Sequence, residues 1–208
     1  MKHILLLSLI LLTACNVSEQ VQNNPDSPAH VLLATNYVGY HEVKDRKFLR
    51  GYLGIDPSRT EWCAAFTNSI LNEAGYAGSE SVSQVPLMAR SFLTWGTRVK
   101  EPEIGDVVIF SRGDEGWQGH VGFYVKTVTK GGKEHYLMLG GNQGDEVSFL
   151  EYPVSKVLGI RRLNPALHTR NPLDLQSQSL ELAASTRIPN ESGKYHIEYI
   201  LTHLEQDL

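Results

Sequence analysis

The spacing at which apolar residues recur along this chain changes once, near Pro102. That change constrains the fold more than any other feature of the sequence. Before Pro102, apolar residues recur at helical spacing in His30–Tyr40 and Thr60–Ala74. After it, short segments alternate apolar and polar residues between glycine-rich turns, which is typical of strands. These segments are Asp106–Phe110, His120–Thr127, Glu134–Leu139, Val147–Glu151 and Val157–Arg162. The order predicts an α+β domain in which N-terminal helices pack on an antiparallel meander.

Cys63 lies near the start of the clearest predicted helix, Thr60–Ala74. Thr60 is a favourable N-cap residue, and Gly75 follows the last turn. These bounds make Cys63 the third helical residue, beside unpaired N–H groups and the positive end of the helix dipole, which lower a thiol pKa. The same N–H groups can bind an oxyanion. A cysteine in an alanine-rich turn can equally be a packed core residue, so the segment alone leaves both readings open.

Two further polar residues have the chemistry that a nucleophilic thiol requires. His120 opens a predicted strand directly after a loop, where its ring could act as the base. Asn142 follows the next strand in the sequence GGNQG, and an amide there can fix the tautomer of a catalytic imidazole. Each residue also has a plain structural interpretation, as a histidine at a strand end and as part of a turn. The remaining histidines are expected at the surface.

The first 15 residues predict export and lipid attachment. A short basic stretch precedes an 11-residue apolar run, which has the length of a signal-peptide core and is too short to span a bilayer. The run ends in Leu-Thr-Ala-Cys, which resembles the bacterial lipobox, so residues 1–14 are expected to be removed and Cys15 to carry the lipid. The alternative is an ordinary cleavage site followed by a chance cysteine. Asn16 after the cysteine suggests the periplasmic face of the outer membrane, by what is known of lipoprotein sorting.

Cysteine usage and charge narrow the class of protein further. The chain has two cysteines, so a lipid on Cys15 leaves Cys63 as a single thiol and excludes a disulfide. The formal net charge of -4 favours no nucleic-acid partner. The sequence has no H-E-x-x-H and no clustered Cys/His set, so neither a metal nor another cofactor is expected.

Two segments flank the predicted domain. Residues 15–28 are polar and lack periodicity, which predicts a flexible tether behind the lipid anchor. Residues 164–208 form a poorly patterned extension that ends in a predicted helix near Lys194–Glu205. The domain itself is therefore placed at residues 29–163.

Five segments, taken in order, resemble a family of bacterial cysteine hydrolases related to the CHAP and NlpC/P60 groups: WCAAF at 62–66, WG at 95–96, PEIGDVVIFSRG at 102–113, GHVGFYV at 119–125 and LGGNQ at 139–143. The resemblance covers about residues 30–163. It implies a papain-like α+β fold with the nucleophile at a helix N-terminus, and cleavage of amide bonds in peptidoglycan stem peptides. Carried over position by position, it makes Cys63 the nucleophile, His120 the general base and Asn142 the third catalytic residue.

The resemblance also implies a substrate groove lined by Glu42, Trp62, Ser111 and Arg112. NlpC/P60 proteins proper usually have Asp-Cys-Ser at the nucleophile and a histidine as third residue, whereas this chain has Trp-Cys-Ala and an asparagine. The chain is therefore nearer the CHAP-like branch, and both an endopeptidase and an N-acetylmuramoyl-L-alanine amidase remain open. The alternative function is a non-catalytic lipoprotein on the same fold that binds the cell wall or another protein.

Overall fold

The computed structural model describes residues 17–167 and residue 169, so the predicted signal peptide, Cys15 and the predicted C-terminal helix lie outside the described residues. Residues 17–22 are helical, and α-helices follow at Ala29–Thr35 (α1), Arg46–Leu53 (α2) and Cys63–Glu73 (α3). Short 3-10 turns lie at Ser79–Ser81, Ala89–Thr94, Val154–Lys156 and Pro165–Leu167. The strands are Thr97–Val99 (β1), Val107–Ser111 (β2), Gly119–Lys130 (β3), Lys133–Gly140 (β4), Ser148–Pro153 (β5) and Val157–Arg162 (β6).

All six strands belong to one antiparallel sheet in the order β1-β6-β2-β3-β4-β5. The prediction of helices followed by antiparallel strands is thus confirmed, and β2 to β5 form the expected meander. The last strand differs, because β6 returns to pair with β2 on the side away from β3. Strand β1 was not predicted, since its three residues are too few to show a period.

The start of α3 lies two residues later than the sequence-based prediction placed it. The helix begins at Cys63 with Trp62 at its N-cap and no side-chain cap, so Cys63 is the first helical residue rather than the third. Thr60 lies outside the helix because the preceding residues form a turn, in which the Ser58 N–H and hydroxyl donate to Asp56. The predicted end is confirmed: Gly75 has a φ of +82°, and its N–H donates to the carbonyl of Asn72.

Apolar side chains cover both faces of the sheet. The larger core lies between the helices and the sheet and includes the fully buried Trp62 and Trp95. Each of these indole N–H groups is satisfied, by the Glu42 carboxylate at 3.0 Å and by the Ala77 carbonyl at 2.8 Å. A second cluster contains Val108, Phe110, Tyr124, Tyr136, Met138 and Ile160. Both faces of the sheet are therefore buried, and His120 near the start of β3 is 2% exposed.

The N-terminal segment differs from the predicted flexible tether over most of its length. Val17 and Val21 lie four residues apart on the helical stretch 17–22, and Val21 is 3% exposed within the main core. The Ser27 hydroxyl donates to the Val21 carbonyl at 2.7 Å and holds the following turn against it. Two valines at helical spacing were therefore a signal of packing within an otherwise polar segment. No helix in the described part of the chain is long and apolar enough to cross a membrane.

His30 is buried, so the expectation that every other histidine lies at the surface is wrong. Its Nε2 lies 2.9 Å from the Gly105 carbonyl oxygen, and its ring packs against Phe123 with a centroid distance of 5.1 Å. Burial lowers the pKa of His30, although the bond to Gly105 and the charge of Asp106 act in the opposite direction. The folded protein therefore holds this imidazole neutral below the pH at which an unfolded chain would protonate it.

Acidification should consequently destabilise the wild type more than His30→Gln, a variant whose amide can still donate to Gly105. As the pH falls below about 6.5, the unfolded chain binds a proton at His30 and the folded chain does not. The free energy of unfolding should fall from this cause by up to ~1.4 kcal/mol per pH unit until the lowered folded pKa is reached. Urea unfolding of both proteins at about pH 7.5 and about pH 5 measures this difference. An equal pH dependence in the two proteins would contradict the account.

Candidate active site

Cys63 is the first residue of α3 and is 4% exposed. Its sulfur accepts hydrogen bonds from the backbone N–H groups of Val121 and Ala64. Burial raises the pKa of the Cys63 thiol, and this effect exceeds the opposing effect of the two N–H donors. The predicted lowering of the thiol pKa is therefore wrong, because the helix start that would stabilise a thiolate lies inside the core.

His120 stands at the start of β3, directly before the residue whose N–H binds the Cys63 sulfur. It is 2% exposed, and its Nε2 lies 3.0 Å from Gln143 Oε1. The ring of Tyr152 stacks on the imidazole with a centroid distance of 4.7 Å and an interplanar angle of 17°. Burial lowers the pKa of His120 to about 4, although the bond to Gln143 opposes the shift. At neutral pH the resting pair is therefore a neutral thiol and a neutral imidazole.

The contacts of Gln143 determine the tautomer of His120. The Gln143 amide nitrogen donates to the carbonyls of Ser148 and Met138, which fixes the amide orientation and points its oxygen at the imidazole. An amide oxygen only accepts, so His120 Nε2 must carry the proton. This leaves Nδ1 as the basic nitrogen of the ring. Gln143, which is 3% exposed, thus has the orienting contact that the sequence analysis assigned to its neighbour.

Asn142 does not contact His120, which corrects the predicted third residue. Its backbone has a φ of 58°, in the left-handed region that asparagine tolerates better than most residues. Its side chain points outward, where Nδ2 donates to the carboxylate of Glu61 at 2.7 Å. The adjacent Gln143 points inward to the imidazole. The two neighbouring amides therefore face different partners, and Gln143 is the one that contacts the histidine.

The predicted groove residues have different positions in the structure. Trp62 is fully buried, and Glu42 accepts its indole N–H, so these two stabilise the core and Trp62 lines no groove. Ser111 ends β2, and its hydroxyl donates to the Lys156 carbonyl at 3.3 Å. Arg112 follows it, is exposed, and lies near enough to the reactive pair to lower the pKa of both Cys63 and His120. Of the four, Arg112 has the position that a substrate contact needs.

Sequence reasoning missed three residues of the site: Glu61, Gln143 and Tyr152. Gln143 was visible as the second amide of GGNQG, but no sequence signal ranks it above Asn142. Tyr152 lies on β5, two strands away from His120 in the sheet, so strand order gave no reason to place it on the imidazole. In the described part of the chain, no group of three or more His, Cys, Asp or Glu side chains is arranged to hold a metal ion.

A cysteine at a helix start near a histidine at a strand start is an arrangement that can be compared with known families. Residues 55–142 match the family model of the CHAP domain. The match includes Cys63 and His120 and ends at Asn142, one residue before Gln143. It supports a CHAP-type hydrolase or amidase that acts on peptidoglycan, and the helices on an antiparallel sheet are compatible with a papain-like α+β fold. No curated protein and no solved structure matches the chain.

Within this candidate site, the roles of the two amides can be separated by mutation. Gln143→Leu should lower the rate by about ten- to a hundred-fold, because one hydrogen bond that orients the base is worth about 1–3 kcal/mol. Asn142→Ala should have a much smaller effect on the acid–base chemistry. The bond from Gln143 also raises the pKa of His120, so the acidic limb of the pH–rate profile should move to lower pH only in Gln143→Leu.

Rates and pH–rate profiles of both variants on one substrate measure this separation. Urea unfolding serves as the control, since Gln143→Leu also leaves two carbonyl acceptors without their donor. If Asn142→Ala lost activity and Gln143→Leu kept the wild-type rate, Asn142 rather than Gln143 would be the third catalytic residue.

Gly141 is the point at which the loop carrying Gln143 presses against the core of the protein. A Cβ added there would lie 2.5 Å from the Trp62 ring and 2.7 Å from Phe66 Cβ, closer than real atoms approach. Gly141→Ala should therefore destabilise the protein by about 1–3 kcal/mol and displace the loop. Gly51→Ala is the matched control, since a Cβ there meets nothing within 4 Å and the residue lies in α2. Urea unfolding of both variants checks this, and equal stability would contradict it.

Proposed function

We propose that this chain is a lipid-anchored cell-wall hydrolase that cleaves an amide bond in peptidoglycan stem peptides through a thioester on Cys63. One observation carries the proposal: the Cys63 sulfur accepts the N–H of the residue that follows a tautomer-fixed His120. A cysteine that only filled the core would need neither the oriented imidazole nor the buried amide behind it. The CHAP match supports peptidoglycan as the substrate.

Acylation follows from the protonation states of the resting pair. As the substrate carbonyl approaches, His120 Nδ1 takes the thiol proton and the sulfur attacks the carbonyl carbon. The N–H groups of the first turn of α3 have no carbonyl one turn earlier, so that of Cys63 can donate to the developing oxyanion. His120 then gives the proton to the leaving amine, the C–N bond breaks, and the acyl group remains on sulfur as a thioester.

In deacylation, the same imidazole first accepts a proton from water and then donates it to the leaving sulfur. His120 removes a proton from a water molecule that attacks the thioester, and the proton returns to the departing Cys63 sulfur. Gln143 accepts the Nε2 proton throughout, and Tyr152 limits rotation of the ring by stacking on it. Both residues position the base and move no proton themselves. No cofactor enters either half-reaction.

The test of this function is the release of new amino groups from purified peptidoglycan. Hydrolysis of an amide produces one amine and one carboxylate, so labelling of free amines before and after incubation detects the reaction. A new N-terminal alanine would identify an amidase, and an amine further along the stem peptide would identify an endopeptidase. A folded wild-type protein that releases no amine from peptidoglycan would favour the non-catalytic wall-binding alternative.

The lipid anchor on Cys15 is a second part of the proposal, supported by the Leu-Thr-Ala-Cys sequence after the apolar run. Only Asn16 lies between Cys15 and Val17, where the described structure begins, so the chain from Cys15 to Val17 spans at most ~7 Å. Since Val21 is packed in the core, a lipid on Cys15 would hold the domain directly at the periplasmic face of the outer membrane. Mass spectrometry of the N-terminal peptide and membrane fractionation test this, and a mature soluble protein with an unmodified Cys15 would exclude it.

A further inference from the structure

Three polar side chains from separate parts of the fold meet beside the reactive cysteine, and we call them the rim cluster: Glu61, Arg112 and Asn142. Glu61 lies two residues before the nucleophile, Arg112 directly follows β2, and Asn142 lies in the loop after β4. The Glu61 carboxylate accepts Arg112 Nη1 at 2.9 Å and Asn142 Nδ2 at 2.7 Å, both on Oε2. The proposed chemistry of Cys63 and His120 uses none of the three.

The charges of the rim cluster act directly on the reactive groups. Glu61 raises the pKa of Cys63 and Arg112 lowers it, while Arg112 also lowers the pKa of His120 and of Tyr152. Such effects require short distances, because charges separated by more than a Debye length through solvent are screened. Glu61 is also two residues from Cys63, and Asn142 is adjacent to the Gln143 that contacts His120, so the rim cluster lies at the surface beside Cys63 and His120.

The ion pair within the rim cluster is open to solvent and easily replaced. The Glu61 side chain is 72% exposed and that of Arg112 is 53% exposed. An exposed pair of this kind contributes little to stability. A guanidinium matches a carboxylate with two parallel N–H donors, and a carboxylate accepts from an ammonium group. A ligand that carries both an ammonium group and a carboxylate can therefore replace Arg112 as the partner of Glu61, and replace Glu61 as the partner of Arg112.

We propose that Glu61 and Arg112 form a specificity site for a zwitterionic residue of the substrate, with Arg112 binding its carboxylate and Glu61 binding its ammonium group. Asn142 is a positioning residue, because its amide holds the Glu61 carboxylate in place. This inference rests on the proposed function and adds to it the substrate class: a stem peptide whose diamino acid keeps one amine and one carboxylate free. Stem peptides in which either group is blocked are the poorer substrates.

The test uses three stem-peptide fragments that contain a diaminopimelate residue: one with its carboxylate and amine free, one with that carboxylate amidated and one with that amine acetylated. The wild-type full-length protein should cleave the first with a kcat/KM about ten-fold or more above either blocked form. Arg112→Gln should lose only the preference for the free fragment over the amidated one. Glu61→Gln should lose only the preference for the free fragment over the acetylated one. Arg98→Gln, which removes a positive charge from exposed β1, should keep both preferences. Equal cleavage of the three fragments by the wild type, or an equal loss on all three in the variants, would overturn the inference.

Binding to Cys63→Ala protein, measured by calorimetry with the same fragments, separates this inference from the proposed function. Preferential binding of the zwitterionic fragment without any cleavage by the wild type would overturn the hydrolase proposal and leave the specificity site standing. Cleavage without preference would overturn the specificity site alone. Neither binding nor cleavage would overturn both. Alkylation by neutral iodoacetamide controls for the direct effect of the Glu61 and Arg112 charges on the thiol, since this reagent carries no charge to be recognised.

Discussion

Cys63→Ala should abolish hydrolysis of peptidoglycan stem peptides and leave the fold intact. The substitution removes one sulfur from a turn that continues with Ala64 and Ala65, so the helix keeps its packing. Without the sulfur no thioester can form, and the remaining groups can only bind the substrate. Initial rates of amine release by the two proteins measure the effect, with urea unfolding as the control for the fold.

Cys63→Ser should be nearly as inactive as Cys63→Ala, because a hydroxyl has a far higher pKa than a thiol and this site already disfavours the charged form by burial. Cys63→Ser matches the wild-type side chain more closely than Cys63→Ala does, since it only replaces the sulfur by an oxygen. Cleavage at the wild-type rate by either variant would show that another group attacks the substrate.

His120→Ala should lower kcat by about 10²- to 10⁴-fold, the usual contribution of general acid–base catalysis. The same imidazole moves a proton in both half-reactions, so its loss affects acylation and deacylation alike. His135→Ala is the matched control, because His135 lies on β4 near the far end of the hairpin and the Nδ1 of its ring lies 3.2 Å from the nearby Lys133 carbonyl. Steady-state rates on one stem-peptide substrate measure both variants.

The loss in His120→Ala should be partly reversed by added imidazole, which can enter the space left under the Tyr152 ring and take up the proton. Such rescue separates a missing base from a misfolded site, since a collapsed site would not respond. A His120→Ala protein with the wild-type rate would remove His120 from the mechanism.

The sequence predicted the parts of this fold that depend on the local spacing of apolar residues. Four of the five predicted strands agree with the structure within three residues at each end, and β6 agrees at both ends, because each is a short run rich in β-branched, aromatic or other apolar residues next to turn residues. The return of β6 to pair with β2 was not predicted. Pairing between distant strands leaves no mark on the local period of either, so the sheet order required the structure.

The sequence singled out Cys63 and His120 as the candidate nucleophile and base, but it did not predict the environment of either side chain. Cys63 and His120 each stand at the start of an element, which the sequence shows. Two adjacent amides in a turn gave no means to foresee that Gln143 contacts His120 and that Asn142, with its left-handed φ, contacts Glu61. The direction of the Cys63 pKa shift depends on burial, which the helix start alone does not reveal.

The central claim is that Cys63 carries the acyl group of a stem peptide. The most direct measurement is mass spectrometry of purified muropeptides incubated with the wild type and with Cys63→Ala. The wild type should convert the substrate into two products whose masses together equal that of the substrate plus one water, and Cys63→Ala should leave it unchanged. The same two products from both proteins, or none from either, would contradict the claim.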